Sequence, residues 1–426
     1  MNTPDFDVIV VGAGIAGSTC ALLCAREGLS VLLLERAPQP GAKNMSGGRI
    51  YSYALESILP NFALHAPLER QITQEKISLL SGQSATTFDY RHPAFSPATT
   101  SYSVLRTRFD PWLMQQAELA GAECLTGIQV EQLLMEGDAV KGVMVDGEKL
   151  SATTVVLAEG ANTVLAERHG LLRKPAAHEI AIGMKEVLSL PQDVLENRFS
   201  LENNEGAAWL FSGELHGALP SGGFLYTNKN TLSLGVVCPL SAIKAGNIAA
   251  PTLLENLKQH PLLRPLLKQT ELLEYAAHLV PEGGLRSVPK NLAGNGWLVI
   301  GDSARFCVNT ALTIRGMDLA MLSAKAAAQA LASQPSGKAL RDVYYQYLHT
   351  SALWAVLTRY QHLPELMLQT PALFSAYPQL FAEVQREHYE TGPLCPEHLA
   401  KRLWKHSRRQ GVIPMMKDLL RGIKSL

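Results

Sequence analysis

Three glycines near the start of the chain have the types and spacing to bind a dinucleotide phosphate. Gly12, Gly14 and Gly17 follow the apolar run Val8-Ile9-Val10-Val11 and open a helical stretch. Gly12 permits a tight turn, Gly14 lets a pyrophosphate approach the backbone, and Gly17 lets the helix pack closely on the strand. The backbone of Ala13, Ile15 and Ala16 then offers open N–H groups at the positive end of the helix dipole. A second apolar strand, Ser30 to Leu34, ends in Glu35, 18 residues after Gly17. That is close to the ~20 residues expected for an acid that holds a ribose hydroxyl.

A second group of residues stands about 285 positions further on. The run Trp297-Leu298-Val299-Ile300 has the same buried-strand character and ends in Gly301-Asp302, followed by a loop and a helix-like stretch from Gly316 to Ala332. In a flavin site an acid at such a strand end accepts hydrogen bonds from the ribityl chain. A helix N-terminus at Gly316 would face the pyrimidine edge of the isoalloxazine ring, where negative charge gathers on reduction. Together the two groups favour FAD over NAD and make the glycine turn one half of a split site.

The elements that must hold these groups read as an α/β, Rossmann-like domain interrupted by a sheet. Residues 1–175 form the first part, with a β-α-β unit over 1–40, strands between Ile77 and Ser103, a helix from Phe109 to Ala120 and hairpin turns at Gly137-Asp138 and Asp146-Gly147. Residues 176–282 carry strand-like runs (Ile180–Val187, Ala207–Phe211, Gly223–Tyr226, Thr231–Val237) and a helical piece, Pro251–Thr270. They read as an inserted antiparallel sheet domain. Residues 283–335 return to the first domain, and 336–426 form a helical C-terminal region.

Composition narrows the function classes. The 426 residues are 47% hydrophobic and 18% charged with zero formal net charge, which speaks against a nucleic-acid-binding surface. Six cysteines without a Cys-x-x-Cys suit a reducing compartment and provide neither a disulfide framework nor a metal site; Cys20 and Cys24 read as small core residues. The first residues lack the basic start of a signal peptide, and no apolar run reaches the ~18 residues of a spanning helix, so a cytoplasmic location is expected. The tail departs from neutrality: residues 401–426 hold eight Lys or Arg against one acid, Asp418, with apolar residues interleaved. It reads either as a surface for an anionic membrane (the inner face of the cell membrane) or an acidic partner, or as a basic helix packing on its own domain.

Longer strings carry a family resemblance. Gly12–Gly17, Glu35-Arg36, Gly41-Ala42-Lys43-Asn44-Met45-Ser46-Gly47-Gly48-Arg49, Arg106-x-x-Phe109-Asp110-x-Trp112-Leu113, Gly222–Asn228, Gly301-Asp302 and Thr313–Asp318 all fit one group. The chain resembles the FixC-like members of the electron-transfer flavoprotein–quinone oxidoreductase family, relatives of geranylgeranyl reductases. The resemblance implies an FAD-binding fold of the glutathione-reductase and aromatic-hydroxylase type. It places Gly12, Gly14 and Gly17 on the pyrophosphate, Glu35 with Arg36 near the adenosine ribose, and the Val130 backbone against adenine. Arg106 would reach the cofactor and Asp302 the ribityl oxygens. Gly316 and Met317 would cover the flavin edge, and Lys43, Asn44, Gly47 and Gly48 would lie near the ring.

The resemblance also implies a function and partners. Electrons would pass from electron-transfer flavoprotein subunits to FAD and on to quinone, with no acid–base pair or nucleophile; the isolated histidines, His278 among them, read as structural or exposed. The alternative is an FAD-dependent reductase or hydroxylase acting on an apolar small molecule such as an isoprenoid. Too few cysteines follow Cys307 for the four thiolates of a [4Fe–4S] cluster, and the resemblance implies a small separate ferredoxin-like protein as partner. The tail and the apolar stretch Leu353–Phe381 are candidate docking surfaces. Two departures from the family pattern are Glu159, where relatives commonly have Asp, and Arg305, where they have Gly. Arg305 is expected either to add positive charge beside the phosphates or to turn to solvent.

Overall fold

The computed structural model describes residues 3–42, 48–92, 96, 99–310, 313–333, 338–392 and 397–425. The chain opens with β1 (Phe6–Val11), α1 (Ile15–Arg26) and β2 (Val31–Glu35), then β3 (Gly48–Tyr51), α2 (Ser52–Glu56), β4 (Leu68–Ser81), β5 (Ser84–Arg91) and β6 (Ser101–Val104). Next come α3 (Arg106–Leu119), β7 (Glu123–Thr126), β8 (Val130–Glu136), β9 (Ala139–Val145), β10 (Glu148–Leu157) and α4 (Val164–Arg168). The middle third holds β11 (Ile180–Ser189), α5 (Gln192–Phe199), β12 (Glu205–Gly213), β13 (Gly222–Thr227), β14 (Thr231–Pro239), α6 (Leu240–Gly246), α7 (Ala250–Gln259) and β15 (Leu272–Pro281). The chain then runs through β16 (Ala293–Gly294), β17 (Trp297–Val299), β18 (Val308–Asn309) and β19 (Ile314–Arg315) to α8 (Met317–Ala332). Six helices close it: α9 (Lys338–Thr350), α10 (Ala352–Arg359), α11 (Leu363–Gln369), α12 (Ala376–Tyr389), α13 (Leu399–Gln410) and α14 (Val412–Ser425).

The first sheet has the order β16-β17-β10-β1-β2-β7, with β17, β10, β1, β2 and β7 parallel. Its central strands are continuous apolar runs, such as Val8-Ile9-Val10, because helices and neighbouring strands bury both faces. Registers Val11↔Leu157, Val11↔Leu34 and Leu157↔Val299 bring four strand ends to one edge. Gly12, Glu35, Glu159 and Gly301 therefore leave the sheet side by side, where ligands of doubly wound sheets bind. Helices α1 and α8 pack together, and both are rich in small buried residues, including Ala16, Cys20 and Cys24 on one and Ala320, Ala324 and Ala327 on the other. Cys20 and Cys24 are indeed buried in that core.

The second sheet has nine strands in the order β15-β11-β14-β13-β12-β4-β6-β3, with β5 paired to β4. It is not confined to residues 176–282, because β3, β4, β5 and β6 complete it from the first segment. Alternation along Leu68–Ser81 marks a strand but carries no information about which sheet it joins, since pairing is decided by distant residues. The sheet is antiparallel apart from the β4–β12 junction, which is parallel. The stretch Leu353–Phe381 turns inward: Leu353, Leu357, Leu363, Phe374 and Leu380 are buried, and Phe381 is exposed. The C-terminal helices use these residues to pack onto the body, while most of the remaining stretch is partly or fully exposed. The tail behaves differently. On α13 and α14, Trp404, Ile413, Met416, Leu419, Leu420 and Ile423 are exposed.

Candidate functional site

A cleft of about 400 Å³ separates the strand-end edge of the first sheet from one face of the second. Ile128, Gln129, Val130 and Glu131 line one end, beside Glu35 and Arg36; Gly12, Gly14, Ile15, Ala16 and Arg106 line the middle. Gly48, Asp302, Gly316 and Met317 line the far end, and Phe224, Tyr226, Val237, His278 and Val280 form the wall from the second sheet. Residues about 300 positions apart thus meet along one groove long enough to touch both nucleotide-turn and helix-α8 termini.

The glycines play three different parts. Gly12 has φ +103°, and a Cβ there would collide with the Ala158 carbonyl; a Cβ on Gly17 would collide with the Gly12 carbonyl. These two glycines let turn, helix and β10 pack. Gly14 differs, because its Cβ would meet only Arg106 Nη2 at 3.9 Å and would otherwise stand in the cleft. That open space is where a group bound by the α1 N-terminus must lie. Neither α1 nor α8 has a side-chain cap, so the first N–H groups of both helices remain available. Ala13, Gly17 and Gly301 do not line the cleft; they shape it. Ala13 N–H donates to Glu35 Oε2 at 2.9 Å, and Gly301, at φ +62°, lets Ala16 approach within 2.7 Å of where its Cβ would be. Gly48 gives Met317 similar room, with Met317 Cε 2.9 Å from a would-be Cβ. Lys43, Asn44 and Gly47 lie outside the described residues.

Charge is distributed along the groove in fixed pairs. Arg106 donates to Asp110 through Nε and Nη2, at 2.6 and 2.7 Å. Burial raises the Asp302 pKa above its ordinary value, while the charges of Arg106 and His278 pull it back. Glu35 also accepts from Ala37 N–H at 2.8 Å; a carboxylate has about four acceptor positions, which leaves capacity for a ligand hydroxyl. At the far end Arg49 donates to Glu75, Tyr51 stacks between Arg49 and Arg315 with guanidinium–centroid distances of 4.9 and 5.3 Å, and Tyr53 and Arg315 both donate to Asp318.

Both departures from the family pattern have physical explanations. Glu159 accepts from Leu165 and Ala166 N–H at 2.7 and 3.0 Å and so caps α4; burial raises its pKa despite those bonds. Arg305 neither neighbours the phosphate turn nor points to solvent. It is buried, donates to Glu179 at 3.2 Å and to the carbonyls of Ser287 and Arg173 at 2.9 and 2.7 Å, and has φ +61°. The left-handed backbone explains why glycine suits this position, and the partners that turn the side chain away are distant in sequence.

Sequence reasoning missed the cleft wall of the second sheet. His278 and Val280 face the cleft at alternate positions of β15, and Phe224 and Tyr226, stacked with ring centroids 5.2 Å apart, do so on β13. Period-2 alternation in those runs was available as a signal, but it does not say which face meets a ligand.

This geometry fits a dinucleotide cofactor, and comparisons with known proteins agree. Residues 7–172 match the model of the FAD dependent oxidoreductase family. Over 425 residues the chain is 52% identical to a probable electron transfer flavoprotein-quinone oxidoreductase, YgcN, of Escherichia coli K12, covering 99% of each chain. It is 44% identical to Protein FixC of the same organism over the full length of both. The chain belongs to the electron-transfer flavoprotein–quinone oxidoreductase family. A geranylgeranyl bacteriochlorophyll reductase-like protein from Thermoplasma acidophilum shares the fold, with a TM-score of 0.72, 18% identity and coverage of 97% of this chain and 99% of the other. The flavin-dependent brominase Bmp2 does so with a TM-score of 0.65, 18% identity and coverage of 90% and 98%. The family member described here is an FAD-dependent oxidoreductase with a Rossmann-like cofactor domain and a helical C-terminal region.

Proposed function

We propose that this protein receives electrons from an electron-transfer flavoprotein and passes them through FAD to a quinone. The carrying observation is the full-length match at 52% identity to a relative with that name. When bound, FAD would supply the redox centre between the protein donor and the acceptor. The chain's own residues bind and orient it. The N–H groups after Gly12 and the open space at Gly14 take the pyrophosphate, with Arg106 beside it. Glu35 and Arg36 take the ribose, and the Val130 backbone takes adenine. Asp302 accepts from ribityl hydroxyls, and the α8 N-terminus at Gly316 and Met317 stabilises negative charge at the ring edge. The Phe224–Tyr226 pair and Val237, Val280 and Ile314 exclude water and offer an apolar wall to a flat acceptor ring.

Two finer features belong to this reading. A small ferredoxin-like iron–sulfur protein serves as an intermediate carrier, and the basic, apolar tail holds the protein against the inner face of the membrane. Among the described residues no helix is long and apolar enough to cross a membrane. The same apolar wall would also suit an isoprenoid, which keeps a reductase or hydroxylase as the second reading. Anaerobic flavin reduction separates the two. Reduced electron-transfer flavoprotein should bleach the bound flavin, and ubiquinone should restore it; rapid bleaching by NAD(P)H with no carrier present would sink the electron-transfer reading.

A further inference from the structure

Reduction of a quinone to a quinol consumes two electrons and two protons, and the cleft needs a route for the protons. Most charged groups on its lining are committed: Arg106 to Asp110, Arg49 to Glu75, Glu35 to two N–H groups and Glu159 to the α4 N-terminus. His278 is placed differently. It lines the cleft from β15, the edge strand of the second sheet, and is half-buried. Leu273 and Tyr275, on this same edge strand, are exposed, so water reaches β15. Its cross-strand neighbour on β11 is Gly183, which leaves room above the sheet for the imidazole. Its Nδ1 lies 2.6 Å from the Leu279 carbonyl oxygen. A carbonyl only accepts, so Nδ1 carries a proton and Nε2 is the nitrogen left to exchange one.

We propose that His278 is the proton-exchange residue of this cleft, passing protons from water at the β15 edge to the carbonyl oxygens of the quinone. The inference rests on the electron-transfer reading above. In each transfer the imidazolium Nε2–H bond breaks and a quinone O–H bond forms, leaving neutral imidazole with its proton on Nδ1. Water at the strand edge then reprotonates Nε2. Two such transfers accompany the two electrons supplied by the reduced cofactor, whose own protons return to water as it is reoxidised, so the quinone gains two electrons and two protons and becomes quinol. The charged and titratable groups around His278 are Asp302 on the strand end of the first sheet, Cys307 on the same cleft lining, Lys185 on β11, Glu274 on β15 and Glu282 just past the end of β15.

The test uses anaerobically photoreduced holoenzyme mixed with ubiquinone-1 or with ferricenium, which accepts an electron without a proton. His278→Gln should slow flavin reoxidation by ubiquinone-1 by about 100-fold, leave oxidation by ferricenium unchanged, and alter the solvent deuterium isotope effect. Imidazole should restore the quinone reaction of His278→Ala. In the apoprotein, nitrogen-15 histidine spectra should show neutral His278 protonated on Nδ1 and gaining its second proton on Nε2. Quinone reoxidation at the wild-type rate in His278→Gln overturns the proposal, as does an equal slowing with ferricenium, which marks a structural role. If wild-type protein itself fails to reduce ubiquinone-1, the electron-transfer reading falls and the proposal falls with it.

Discussion

At the scale of single residues, the glycines make separable predictions. Gly14→Val should yield folded protein with little bound flavin, because its side chain occupies the cleft and touches only the end of Arg106. Gly12→Val should lose the fold as well, through collision with the Ala158 backbone; flavin content measured beside circular dichroism distinguishes them. Arg305 combines left-handed backbone with a buried ion pair. Removing it should cost about 3 kcal/mol in chemical denaturation, with Arg305→Gly about 1 kcal/mol less destabilised than Arg305→Ala because glycine tolerates the backbone. Glu282 supplies a pH signature. Burial raises its pKa to about 7, with a hydrogen bond from Asn309 opposing. The folded state therefore holds a proton that the unfolded chain has released, and this stabilisation is complete below the ordinary carboxyl pKa and lost as pH rises through about 7. Unfolding free energies measured from pH 5 to 8 should lose this downward slope in Glu282→Gln. Local chemistry made Gly12, Gly14, Glu35 and Asp302 legible in the sequence, since turn geometry and strand ends are short-range properties. The partners of Arg305 and the cleft position of His278 depend on segments far apart in the chain, and no short-range pattern records them.

At the scale of elements, the site depends on a lock that joins α2 and β19 to the start of α8. Tyr53 Oη and Arg315 Nε each donate to Asp318 Oδ2 at 2.9 Å, and the Asp318 side chain is completely buried. Asp318→Asn keeps the shape but leaves the Arg315 guanidinium without its counter-ion. Stability should fall by about 2–3 kcal/mol, and flavin should dissociate more readily, as followed by fluorescence of released FAD. The β-α-β unit, the hairpin β8–β9, the strands of the middle segment and α8 could all be read from periodicity and turn residues. Recruitment of β3–β6 into the second sheet could not. It follows from pairings such as Trp209↔Lys76, between residues more than a hundred positions apart, and from a parallel junction that alternation does not reveal.

At the scale of the whole molecule, the tail packs one side on α12 through Arg402 and His406 and leaves its other side uncovered. Eight basic residues and exposed Trp404, Ile413, Met416, Leu419, Leu420 and Ile423 lie on α13 and α14. Truncation after residue 392 should leave flavin content unchanged while abolishing co-sedimentation with vesicles containing phosphatidylglycerol. Salt should weaken that binding in the intact protein, because part of it is electrostatic. The split site has one more consequence, which concerns time. Strand β1 and the glycine turn are synthesised first, but β17 pairs with β10 and α8 packs on α1 only after about 330 residues exist. At about 5–20 residues per second, the phosphate turn waits roughly 15–65 s for the other half of its cleft. Cofactor loading is therefore a late event in the life of each chain, and a ribosome-bound fragment ending before Trp297 should emerge without flavin.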